Sequence, residues 1–124
     1  MPALALAMMA APQVVFADIG PKPTISFVFA FDRPGVGITD GALLECEDAK
    51  CASPAPLGQL GPQRFICQAT SCDGMAYGFS AHAVLEVTLS DGRVLRSGVF
   101  PQKDFNAKFK VAVKGSVLEV TRAK

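Results

Sequence analysis

The chain has 124 residues, 50% of them hydrophobic and 19% charged, with 12 Lys and Arg against 11 Asp and Glu. That composition supports a buried core and excludes a disordered tail. A net charge of +1, spread without a charge block, excludes the basic footprint of a nucleic-acid binder or of a protein held on an anionic membrane.

Residues 1–17, MPALALAMMAAPQVVFA, carry no charge. The run is short for a membrane span, and Pro12 interrupts it. Val15 and Ala17 fit the small-residue pattern of a signal-peptidase site, so residues 1–17 are predicted to be a signal peptide cleaved between Ala17 and Asp18. The basic n-region is missing, as in a signal shortened at its start. The alternative is a buried N-terminal helix or strand. Residues 18–124 are expected to form a single extracytoplasmic domain.

Asp18 to Pro23 is too rich in Pro and Gly for regular structure and reads as an extended lead-in. TISFVFAF then alternates: Ile25, Phe27, Phe29 and Phe31 fall on one face, and Thr24, Ser26, Val28 and Ala30 on the other. A period of two predicts a strand with one buried face. Asp40-Gly41 and Asp91-Gly92 predict tight hairpin turns. Before the second of these, Ala83, Leu85, Val87 and Leu89 form an inward row. Gly115-Ser116 predicts a turn that pairs Val113 with Leu118, Val111 with Val120, Lys110 with Thr121 and Ala112 with Glu119. Such a hairpin has one apolar and one wet face. With RFICQA (64–69), seven or eight short strands result, and no useful helical periodicity. The expected fold is all-β, an antiparallel two-sheet sandwich of immunoglobulin-like type, with a small β-barrel as the alternative. The absence of Trp removes one hallmark of antibody-type domains.

Four cysteines lie at Cys46, Cys51, Cys67 and Cys72. A zinc site would need all four to converge, and its usual knuckles are Cys-x2-Cys rather than Cys-x4-Cys. A thioredoxin-type redox site needs Cys-x-x-Cys at the start of a helix. Behind a signal peptide, an even number of cysteines points to disulfides. Local pairing, Cys46–Cys51 with Cys67–Cys72, is preferred. The nested pairing Cys46–Cys72 with Cys51–Cys67 stays open: it matches an antiparallel register, but only if a strand breaks at EDAK between Cys46 and Cys51.

No catalytic constellation emerges. His82 is the single histidine, and a lone His beside a strand is more often packed or exposed than catalytic. Ser71 and Ser80 lack a base-and-acid set beyond that His, and no serine sits in a Gly-x-Ser-x-Gly elbow. Glu45, Glu47 and Asp48 form neither a calcium loop nor a paired-carboxylate site. Gly35-Val36-Gly37 lacks the third glycine and helix of a phosphate loop. Phe65, Tyr77 and Phe79 read as core, and only Tyr77 carries a polar tip. No cofactor is expected.

The strings ADIGPKPTISFVF, LGPQRF, AYGF and LSDGRVLRSGVF, with the two Cys-x4-Cys pairs, cover most of residues 17–109. On these the chain resembles a group of poorly characterised prokaryotic exported and membrane-anchored proteins. The resemblance implies a signal peptide, an extracytoplasmic β domain and hydrophobic membrane segments downstream. It implies no activity and carries over no functional residue. The expectation is therefore a non-enzymatic, disulfide-stapled envelope module with a binding or structural role. Its partner would be an envelope ligand or protein, and it would meet the membrane only through an anchor beyond Lys124. The loop Ala52 to Gln63, stiffened by Pro54, Pro56 and Pro62, is its candidate surface, unless it is simply a connector between sheets. A zinc module and a small envelope enzyme are the alternatives, the enzyme disfavoured by the missing acid–base set.

Overall fold

The computed structural model describes residues 24–58, 63–76, 80–102 and 106–123. The predicted signal peptide and the Ala17–Asp18 site lie outside the described residues, as do Tyr77, Phe79 and positions 59–62 of the candidate loop. Ten strands run through the described residues: β1 (Thr24–Ala30), β2 (Ile38–Cys46), β3 (Ala55–Pro56), β4 (Arg64–Gln68), β5 (Ser71–Met75), β6 (His82–Leu89), β7 (Val94–Arg96), β8 (Phe100–Pro101), β9 (Ala107–Lys114) and β10 (Val117–Arg122). They form two sheets that do not close into a barrel. The first has the order β10-β9-β1-β5-β4, and the second β3-β2-β6-β7, with β8 also on β6.

Six of these strands follow the immunoglobulin order. β1, β5 and β4 lie side by side as strands B, E and D do, and β2, β6 and β7 as C, F and G. Beside β1, where strand A would lie, stands the β9–β10 hairpin. β9 runs parallel to β1, from Ile25 opposite Ala107 to Ala30 opposite Ala112. The expected all-antiparallel pairing therefore fails at this one place. A parallel pair needs a long crossover, and the whole of β2 to β8 supplies it.

The core follows the alternation in the sequence. Ile25, Phe27 and Phe29 face inward from β1, and Ala83, Leu85, Val87 and Leu89 from β6. Phe27 is the hub. Its ring stacks on Phe109 at 5.3 Å and meets Phe65 and Phe100 edge-on, each at 5.9 Å. Because Phe100 belongs to the facing sheet, one side chain joins the two layers. Aromatic pairs of this kind add about 0.5–1.5 kcal/mol each beyond their buried area.

The Gly115-Ser116 turn has the predicted register, Val113 opposite Leu118 and Val111 opposite Val120, with Gly115 at a φ of +62°. Asp91-Gly92 also turns the chain, but through a longer loop than expected. Leu89 N–H donates to Arg93 O at 2.8 Å and Gly92 N–H to Leu89 O at 2.9 Å, and Gly92 alone of the loop takes a positive φ. Asp40-Gly41 is no turn. It lies inside β2, after a bulge between Ile38 and Asp40. Gly41 is required by packing: a Cβ there would collide with Cys67 Sγ.

Candidate functional site

The sulfur chemistry is the feature the fold builds most deliberately. Cys46 is bonded to Cys51 and Cys67 to Cys72, so both bridges are local and no cysteine is free. β2 ends at Cys46, and residues 47–50 turn the chain at EDAK. Asp48 Oδ1 accepts hydrogen bonds from the Lys50 and Cys51 N–H groups, both at 3.0 Å. This Asx-type turn sets Cys51 in the left-handed region, at a φ of +53°. The bridge closes a small outer cluster of Leu44, Cys46 and Val84, with Ala42 and Cys51 against it.

The second bridge is different. Cys67 and Cys72 are directly opposed in the β4–β5 ladder. Cys72 is fully buried, and Cys67 packs against the main core, over Gly41. The two bridges therefore lie on opposite faces of β2, one outside the sandwich and one within. That arrangement disposes of the zinc alternative. Four sulfurs on two sides of a sheet cannot meet at one ion, and each is already bonded to one partner, in two separate pairs. Among the described residues no group of three His, Cys, Asp or Glu gathers to hold a metal.

His82 opens β6, opposite Cys46 on one side and Pro101 on the other. It shares the outer face of its sheet with Cys46. Glu45, opposite inward-facing Ala83, points the other way and accepts from the Ser80 N–H at 3.1 Å. Ser71, opposite exposed Val28, is on the far sheet. Ser71 is thus apart from His82 and Glu45, whereas Ser80 lies two residues before His82 and next to Glu45. The acidic run has structural duties instead: Glu45 holds Ser80, and Asp48 holds the turn.

One feature went unread in the sequence. At the end of the sandwich opposite the Cys46–Cys51 bridge, Arg93 reaches across the layers. It donates to both carboxylate oxygens of Asp32 at 3.0 Å, to Asp91 Oδ2 from Nε at 3.0 Å and to the Gly115 carbonyl at 2.7 Å. Gly115 N–H in turn donates to Asp32 at 2.8 Å. Hydrogen bonds from Arg93 first, then Gly115, hold the Asp32 carboxyl well below the usual range. Arg93 likewise lowers Asp91, and the carboxylates raise Arg93. The only local signal was the charge of Asp32-Arg33 and Asp91-Gly92-Arg93 in two turns.

Among the described residues, two exposed surfaces stand out. The loop after Cys51 is the connector from β2 to β4 in the facing sheet. It exposes residues 52–56, pairs Ala55–Pro56 on the edge of β2 and buries Leu57, whose N–H donates to Leu43 O at 2.9 Å. The outer face of the first sheet holds a hollow of about 510 Å³, floored by Val28, Ala30 and Ala112 and flanked by Lys108, Lys110 and Glu119. Together these features define a class, the disulfide-stapled β-sandwich module. No family model, curated protein or solved structure matches the chain.

Proposed function

We propose that the chain is an exported β-sandwich module of the cell envelope that works by binding or as a structural element rather than by catalysis. The observation that carries this reading is the closure of all four cysteines into two disulfides, the chemistry of an oxidising, extracytoplasmic compartment. The charge-free N-terminal run with Val15 and Ala17 before Asp18 supports export. The resemblance carried by DIGPKP and the paired Cys-x4-Cys supports a place at the outer face of the membrane, in front of an anchoring segment. For the binding role, the exposed connector at residues 52–56 and the lysine-flanked hollow on the first sheet offer surfaces on a rigid scaffold. A small apolar floor between Lys108 and Lys110 suits an anionic group on an apolar stem.

Expression of the full chain in a bacterial host, followed by fractionation and intact-mass measurement, tests the reading. The expected product lies outside the cytoplasm, begins at Asp18 and weighs four hydrogens less than its reduced form, two for each bridge. An uncleaved cytoplasmic chain with free thiols would overturn it.

A further inference from the structure

Strand registers set the outer face of the first sheet in rows. One row crosses its five strands as Ile66, Asp73, Ser26, Lys108 and Ala123. The next runs Gln68, Ser71, Val28, Lys110 and Thr121. In both rows β1 is the middle strand, with two strands on either side. Val28 is 60% exposed at that centre, and Ile66 is 44% exposed on the β4 edge. Lys108 and Asp73 stand one strand to either side of β1, their backbones about 10 Å apart. Neither has an ion-pair partner among the described residues.

From this geometry we infer that the outer face of the first sheet docks a second copy of the chain, about a two-fold axis laid along β1. The inference rests on the proposed binding role of the hollow and names its occupant. Rotation about β1 keeps each row and exchanges its two ends, as an isologous interface requires. Lys108 then faces the partner's Asp73, and Asp73 faces the partner's Lys108. One coincidence of register thus yields two equivalent ion pairs. Ile66 faces the partner's Ala123. The exposed apolar side chain on the β4 edge therefore meets the hollow over β9 and β10, which Lys108, Thr121 and Ala123 help to line. Val28 meets the partner's Val28 on the axis. The apolar group and the anion that the hollow suits both come from the partner's β4–β5 hairpin.

The dimensions agree. Sheets packed face to face lie about 10 Å apart, a gap that an extended Lys and an Asp span together. Aligned sheets cross at about −30°, which displaces groups one strand from the axis by only about 2–3 Å. Ala30 and Ala112 in the following row are small enough to permit that approach. A face five strands wide lies at the small end of specific interfaces. The dimer is accordingly weak, with a dissociation constant of about 10–1,000 µM.

The test is sedimentation velocity on the purified, oxidised full chain, from about 1 µM to 1 mM. A concentration-dependent monomer–dimer equilibrium is expected. Lys108→Asp and Asp73→Lys each set two like-charged pairs in the interface and should weaken the dimer about tenfold or more. An equimolar mixture of the two variants has opposite charges at both pairs again, and should associate as the parent does. A contact within one molecule would not be restored by mixing. A parent that is monomeric at every concentration, single variants that dimerise like the parent, or a mixture no better than its components would each overturn the inference. So would a monomeric parent that binds decanoate in the hollow, which would make a small amphiphile the occupant. An exported, oxidised chain that stays monomeric sinks the dimer alone, because fractionation and intact mass read the envelope module separately.

Discussion

Two segments of this chain share the pattern Cys-x4-Cys, and the fold treats them as opposites. Cys67-QATS-Cys72 is a hairpin whose cysteines face each other across the β4–β5 ladder and point into the sandwich. Cys46-EDAK-Cys51 is a strand end and an exposed turn, bridged on the outside. Spacing alone fixes only that a bridge can close. Whether it staples a core or pins a loop depends on the two faces of β2, where Gly41 admits one bridge and Leu44 and Cys46 carry the other.

The contrast can be broken in order of expected effect. Replacing both Cys67 and Cys72 by Ala should cost about 3 kcal/mol in urea unfolding. Loop-closure entropy contributes about 2 kcal/mol of this, and a core cavity the rest. Gly41→Ala comes next. It should cost about 1–3 kcal/mol by overpacking against Cys67, and most of that cost should vanish in the double-Ala background. Full additivity in that cycle would disprove the contact. Removing Cys46 and Cys51 together should cost about 1–2 kcal/mol, because relief at the left-handed Cys51 offsets part of the lost loop closure. Thermal unfolding checks the ranking: the variant without the outer pair must melt above the variant without the inner pair.

The smallest effect belongs to the far end of the sandwich. Asp32 and Asp91 titrate below their ordinary value of 3.8 in the folded state. Their contribution is therefore fully present above that pH and is lost as pH falls through the folded values. Arg93→Met should flatten the acid limb of stability below about pH 4 and leave stability near pH 7 less affected than either cysteine deletion. An acid limb identical to the parent would show the network to be energetically silent.

Much of this was legible in the sequence, and the rest failed for identifiable reasons. The phenylalanine row of β1, the inward row of β6 and the β9–β10 register follow from period-two alternation, because each buries large side chains on one face. β5 gave no such signal. Its inward positions are Cys72 and Gly74, and a Cβ at Gly74 would stand 2.8 Å from Ile25 Cγ2, so neighbours fill the space that its own side chains would otherwise occupy. Asp40-Gly41 looked like a turn because a glycine needed for close packing reads the same as one needed for a positive φ. The Arg93 network joins residues 61 apart, beyond any local pattern. Of the two readings of the loop, the connector is seen directly: the segment leads from β2 to β4 in the facing sheet, with residues 52–56 exposed on the way.

The parallel placement of β9 beside β1 has a consequence for how the molecule is made. The Thr24–Asn106 hydrogen bond at the start of that pair spans 82 residues, whereas both disulfides span five. In a chain threaded through a membrane from its N-terminus, β1 would emerge first and could meet β5 and Phe65 early, but its β9 edge and the Phe109 ring that stacks on Phe27 would come only later. The two bridges can close long before that. Local bridges and a distant sheet pairing differ in this way: short-range contacts close at little entropic cost, whereas the β1–β9 pairing must bring together residues far apart in the chain.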